Sequence, residues 1–119
     1  MKIFRASAFL LFLFPLLGFA ADEFRPQKLS SFTVKGCSVS EPLMVETLER
    51  ESLEEMKKHA PRVPQVAFGF ENAAWRVFKA KIRPNDTLVR LTCGRDTYWL
   101  GYAIVRSDVV IATFVLELS

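Results

Sequence analysis

The pattern of apolar and polar positions divides the chain into an apolar leader, one amphipathic helix and a C-terminal run of strands. Apolar residues fill most of the first 20 positions, recur at three- and four-residue spacing between residues 41 and 60, and return in three short runs after residue 86. Helical spacing predicts a helix that buries one face, and short apolar runs between turn residues predict strands. The pattern therefore predicts a small α+β domain behind a leader.

The main helix is predicted from about Glu41 to His59. Its mostly apolar stripe consists of Val45, Leu48, Ser52 and Met56. Ser40 is a suitable N-cap residue, and Pro61 and Pro64 end the helix and begin a connector.

Residues 71–82 fit two structures. One helical face would carry Ala74, Trp75, Phe78 and Ile82, with Asn72 as a cap, whereas the segment from Trp75 to Phe78 also fits a strand. We favour a second short helix, because the apolar spacing continues through the whole segment.

Three strands are predicted after the turn at Pro84: Thr87 to Cys93, Tyr98 to Arg106, and Val109 to Leu118. Turn residues separate them, so they form an antiparallel meander. Residues 32–35 fit a further short edge strand that ends at Gly36, and residues 21–31 fit a loosely ordered lead-in. The expected sheet is antiparallel with three to four strands.

The last two strands are apolar on both faces. In the middle strand one face would carry Tyr98, Leu100, Tyr102 and Ile104, and the other Trp99, Gly101, Ala103 and Val105. In an antiparallel sheet with one solvent-exposed face, apolar and polar residues alternate along each strand, and in these strands they do not. Both faces therefore need a cover. The helices can cover one, and the other requires the N-terminal segment, a second subunit or a bound partner.

The leader, Met1 to Ala20, has the three parts of a cleavable signal peptide. Lys2 and Arg5 precede an apolar stretch over residues 6–17, and small residues follow at Gly18 and Ala20. The stretch is shorter than a membrane-spanning helix and contains Pro15. We therefore expect a periplasmic or secreted protein with no stable membrane anchor after cleavage, consisting of one domain over residues 21–119.

Cleavage also changes the charge of the chain. The net charge of +3 falls to +1, because 14 basic and 13 acidic residues remain from Ala21 onward. A nucleic-acid-binding domain carries a concentrated basic surface. The sequence shows none, so no nucleic-acid partner is expected.

The chain has two cysteines, Cys37 and Cys93, and both survive cleavage. An even count in an exported chain favours a disulfide that ties the N-terminal segment to a C-terminal strand. The alternatives are two buried free thiols or a redox pair. The long separation is unlike the C-x-x-C spacing of redox motifs.

Catalytic motifs are missing from the sequence, and no enzyme activity, metal or cofactor is expected. The one histidine, His59, lies near the predicted end of the helix, where a cation interacts favourably with the C-terminus, and this role is favoured over that of a general base. Glu51, Glu54 and Glu55 lie among basic residues and fit a solvated, salt-bridging helix face. An envelope enzyme that works through a pair of carboxylates is the least favoured class.

One group of residue types typical of binding hot spots surrounds the middle strand: Arg95, Tyr98, Trp99, Tyr102 and Arg106. The alternative is that Trp99 and the tyrosines belong to the core, with the hydroxyls at its rim. We expect a non-enzymatic binding protein, such as an inhibitor, an immunity-type protein or a subunit of an envelope assembly, with a protein partner or homo-oligomer. The second expectation is a module that binds a small ligand or glycan through its aromatic face.

Overall fold

The computed structural model of the protein describes residues 24–94 and 98–118. The predicted leader and Arg95 lie outside the described residues. The elements in chain order are β1 (Gln27–Lys28), α1 (Leu29–Val34), β2 (Cys37–Val39), α2 (Val45–His59), a 3-10 turn (Gly69–Glu71), α3 (Asn72–Lys79), β3 (Thr87–Cys93), β4 (Trp99–Arg106) and β5 (Val109–Leu118). They form an α+β domain, which confirms the predicted fold class.

The described sheet is antiparallel and has five strands in the order β1-β5-β4-β3-β2, one more than the largest number predicted. The C-terminal meander is confirmed, and only β4 begins one residue later than expected. Ser107 and Asp108, the turn between β4 and β5, have φ of 51° and 65°. Positive φ at both positions is what a two-residue type I′ hairpin requires. Two register shifts between β4 and β5 increase the local twist and curl the sheet.

The edge strand predicted at residues 32–35 is wrong, because these residues belong to the end of α1 and the turn after it. Leu29 and Phe32 both pack against buried side chains of the sheet. Three residues apart, they share one side of a helix but would point to opposite sides of a strand. Burial of both side chains therefore favours the helix, and the strand begins only after Gly36, whose φ is 97°.

The N-terminal segment crosses one face of the sheet. Residues 27–31, expected within a loosely held lead-in, form β1 and the first turn of α1, and α1 then leads to β2 on the opposite edge. Strands about 4.8 Å apart would place these two edges about 19 Å apart in a flat sheet. A helix of six residues covers about 9 Å of this distance, and the flanking residues and the curl of the sheet supply the rest. The N-terminal segment is therefore the main cover of the second face.

The disulfide between Cys37 and Cys93 is present and lies in this cover. The two residues are direct cross-strand partners on β2 and β3, with 4.0 Å between their Cα atoms. The bond joins the N-terminal segment to the sheet, as predicted.

Helix α2 begins at Val45, four residues later than predicted, and Ser40 is not its N-cap. The backbone N–H of Ser40 donates to the carbonyl of Arg90 at 3.0 Å, and the Ser40 hydroxyl accepts the N–H of Arg90 at 2.8 Å. The N–H of Leu43 donates to the carbonyl of Leu88. Pairing with the sheet thus holds residues 40–43 extended, and the helix starts where this pairing ends.

The favoured second helix is confirmed as α3, although Asn72 does not cap it with its side chain. Trp75 and Phe78 are buried and pack with each other and with Phe114 of the sheet, and Trp75 also packs with Phe68. These aromatic rings lie at the centre of the core between α2, α3 and the sheet face opposite to the one that α1 crosses. Its buried members are Leu48, Ala67, Trp75, Phe78, Leu88, Tyr102, Ile104, Ala112 and Phe114.

Candidate functional site

The five residues predicted to form a binding group lie in different surroundings. Tyr102 points toward the helices, Trp99 packs on the opposite face of β4, and Tyr98 is 40% exposed just before the strand. Arg106 lies at the far end of β4. Arg95 is outside the described residues.

Tyr102 belongs to the aromatic core and is only 5% exposed. Its hydroxyl accepts a hydrogen bond from Nη2 of Arg90 at 3.4 Å, and the Arg90 guanidinium lies 5.4 Å from the centre of the ring. The ring is therefore core while the hydroxyl reaches the rim, the arrangement that the core alternative predicts.

Arg106 is held by Asp86, whose side chain is almost fully buried. Nε and Nη2 of Arg106 each donate to one carboxylate oxygen at 2.8 Å, and the backbone N–H of Arg83 donates to Oδ2 at 2.8 Å. The hydrogen bonds from Arg106, together with the Arg83 N–H, lower the pKa of Asp86 to about 2 although burial opposes this. This bidentate ion pair joins the turn before β3 to the end of β4. The role of Arg106 is therefore structural.

Trp99 lies half-buried on the sheet face that α1 crosses, and its ring leans over Gly101 of the same strand. A Cβ atom at Gly101 would lie 3.2 Å from Cη2 of Trp99 and 2.5 Å from the carbonyl oxygen of Phe114. Only glycine leaves enough room for the indole and the neighbouring strand. The ring closes one end of the second core cluster, whose buried members are Val89, Leu91, Ala103, Val105 and Val110.

An exposed apolar surface continues from Trp99 onto β5. Val115 is the cross-strand partner of Gly101, and Leu118 is the partner of Trp99, so all four side-chain positions share one face. Val115 is 43% and Leu118 is 70% exposed. We call Trp99, Gly101, Val115 and Leu118 the Trp99 patch.

Val115 and Leu118 were not among the predicted site residues, although their strand carried a signal. β5 is apolar on both faces until Glu117, and the prediction that its second face needs a cover applied to it. The Trp99 patch has no ionisable side chain. It can bind through removal of apolar surface from water, and it offers no group for acid–base or nucleophilic chemistry.

Comparisons with family models, curated proteins and solved structures gave no match to this chain. Within residues 24–94 and 98–118, no three side chains of His, Cys, Asp or Glu come together as metal ligands. In the same part of the chain, no helix combines the length and apolarity that a membrane crossing needs. The disulfide is compatible with an oxidising location outside the cytosol.

Proposed function

We propose that the protein is an exported, non-enzymatic binding protein and that the Trp99 patch contacts a protein partner. The observation that carries this proposal is the exposure of Val115 and Leu118 beside the half-buried ring of Trp99. An indole beside exposed aliphatic side chains has the composition of an interface centre, in which contacts that exclude water surround aromatic anchors. An inhibitor, an immunity-type protein or a subunit of an envelope assembly would each use such a surface.

A protein partner fits the patch better than a glycan does. Sugar recognition combines an exposed aromatic face with hydrogen-bonding groups, because sugar hydroxyls lose water on binding. Here the indole is half-buried and the side chains around it are aliphatic. Aliphatic side chains contribute most binding free energy when another apolar surface removes them from water.

The predicted leader and the disulfide support export, and the position of the mature N-terminus tests it. Mass spectrometry of the protein recovered from the periplasm or medium should give a chain that begins near Ala21. A mature protein that keeps Met1 would contradict the leader and the export proposal.

The binding test compares two charge insertions at positions of similar exposure. Leu118→Glu places a carboxylate in the patch, and Val34→Glu does so at a side chain that is 74% exposed on α1. A partner recovered with the tagged wild-type protein should bind Leu118→Glu at least tenfold more weakly and Val34→Glu with unchanged affinity, measured with both purified components. Equal affinities for the two variants would place the contact elsewhere.

Circular dichroism and thermal unfolding should show the same fold for both variants. The glycan alternative has its own readout, since peptidoglycan fragments would change the tryptophan fluorescence of the wild type and leave that of Trp99→Phe unchanged.

A further inference from the structure

The outer edge of β5 is largely unpaired. β1 pairs only with Val109 and Val110, so residues 111–118 have no strand on their outer side in the part of the chain that the structure describes. This stretch contains one charged residue, Glu117, and no proline. Protected edges carry lysine, proline or a covering element. Among residues 24–94 and 98–118, nothing pairs with this edge, and it is available for pairing with another strand.

A groove of about 460 Å³ lies between this edge and α3. Residues of α3, with Glu71 before it and Lys81 after it, line one side of the groove, and residues 113–115 of β5 line the other. Val77 is 63% exposed on α3, and β5 borders the groove with its unpaired edge, while the side chain of Val115 lies on the opposite sheet face with Trp99. The groove thus joins an open strand edge to an exposed aliphatic helix surface, and one occupant could cover both.

The two ends of the groove carry opposite charges. Glu71 is the last residue before α3, Lys81 lies two residues after the end of α3, and both line the groove. Both charged residues are exposed. A two-fold axis through the middle of the groove would exchange these ends, so that each Glu71 meets a Lys81. The surface is complementary to itself.

We propose that the occupant is a second copy of this chain, bound about a two-fold axis. The two β5 strands pair antiparallel along the open edge, the two α3 helices lie antiparallel across the seam, and Glu71 of each copy faces Lys81 of the other. Such an isologous contact closes on itself and gives a dimer rather than a fibre. An unrelated strand could pair with the edge, but nothing requires it to match both charged ends.

The placement of α3 allows this contact. The Trp75 ring lies 6.2 Å from Tyr102 of β4 and 5.3 Å from Phe114 of β5, so α3 lies above these two strands. Paired strands are about 4.8 Å apart. Two helices placed over the inner sides of two paired β5 strands would be on the order of 10 Å apart, the separation of packed helices.

Charge exchange between the two ends tests the contact. Sedimentation velocity of the exported wild-type protein should show a dimer in equilibrium with monomer. Glu71→Lys and Lys81→Glu each create two like-charge contacts, and each should weaken the dimer at least tenfold. An equimolar mixture of these variants should dimerise again, because only the mixed pair restores both opposite-charge contacts. The double variant with both changes in one chain should also recover.

Glu51→Lys, which makes the same change of net charge on the exposed side of α2, is the matched control and should leave the dimer unchanged. Hydrogen exchange adds a backbone readout: amides of residues 111–118 should gain protection as the wild-type concentration rises, and those of Glu71→Lys should not. A wild type that stays monomeric at every concentration would overturn the proposal. So would a mixture of the variants that fails to dimerise.

Discussion

The indole N–H of Trp75 donates a hydrogen bond to the carboxylate of Glu49, with 2.6 Å between Nε1 and Oε2. The ring is fully buried, and the same oxygen accepts a hydrogen bond from Nζ of Lys79 at 2.5 Å. Burial raises the pKa of Glu49, but the hydrogen bonds from Lys79 and Trp75 outweigh this and leave it below its usual value. One carboxylate on α2 thus fixes the position of α3.

Replacement of Glu49 should therefore weaken the contact between α2 and α3. We expect Glu49→Ala to lower the free energy of unfolding by about 1–3 kcal/mol, because the buried indole N–H loses its acceptor. Glu49→Gln keeps a hydrogen-bond acceptor for the indole and should lower the free energy of unfolding by less. Urea unfolding measures both, with Glu54→Ala, a change on the exposed side of α2, as the control. Equal losses for Glu49→Ala and Glu54→Ala would show that the hydrogen bond contributes nothing.

The disulfide should contribute strongly to stability, because it holds the whole N-terminal cover to the sheet. For the chain enclosed between Cys37 and Cys93, the chain-entropy model gives about 4 kcal/mol. The double variant Cys37→Ser/Cys93→Ser should unfold at correspondingly lower urea concentration. A reducing agent should shift the wild type in the same direction and leave the double variant unchanged. A wild type that unfolds at the same urea concentration with and without reductant would contradict this prediction.

Acid should weaken the turn that Asp86 and Arg106 hold. The pKa of Asp86 is about 2 in the folded protein and 3.8 as the ordinary value. A carboxyl with a lowered folded pKa stabilises the fold fully above its unfolded pKa and loses this contribution as the pH falls through the folded value. The contribution should therefore disappear between about pH 4 and about pH 2.

Asp86→Asn should be less stable than the wild type at neutral pH, and the difference should shrink in this acid range. Unfolding midpoints measured across the range give the difference directly, and Arg106→Gln should show the same convergence. A constant difference between wild type and Asp86→Asn at every pH would rule out the ion pair as its source.

Gly101 should tolerate no side chain. In Gly101→Ala the new methyl group would meet the carbonyl oxygen of Phe114 and the indole of Trp99, so we expect a loss of about 1–3 kcal/mol from overpacking. Gly94→Ala is the matched control, because the nearest atom to a Cβ there is Cδ1 of Tyr98 at 3.9 Å. It should change stability by about 0.5 kcal/mol or less. Equal thermal unfolding of the two variants would show that the strands can move apart.

Local patterns predicted the meander and the helices α2 and α3, and missed the elements that depend on distant contacts. Apolar spacing placed α2 and α3 because each helix buries one side along its own length, and apolar runs between turn residues placed the three C-terminal strands. Ser40 resembled a helix cap in the sequence, but its backbone and hydroxyl pair with Arg90, fifty residues away. Residues 32–35, which form the end of α1 and the turn after it, were predicted as a strand, because no local pattern shows that Leu29 and Phe32 cover the sheet.

The sequence by itself determined that the sheet is apolar on both faces and that two cysteines are available for a bond, since composition and alternation are properties of the strands alone. Tertiary structure decided what covers the second face and what stays open. The crossing of α1 buries most of that face and leaves Val115 and Leu118 exposed beside Trp99. Exposure depends on which segments pack together, and packing between distant segments leaves no local pattern in the chain.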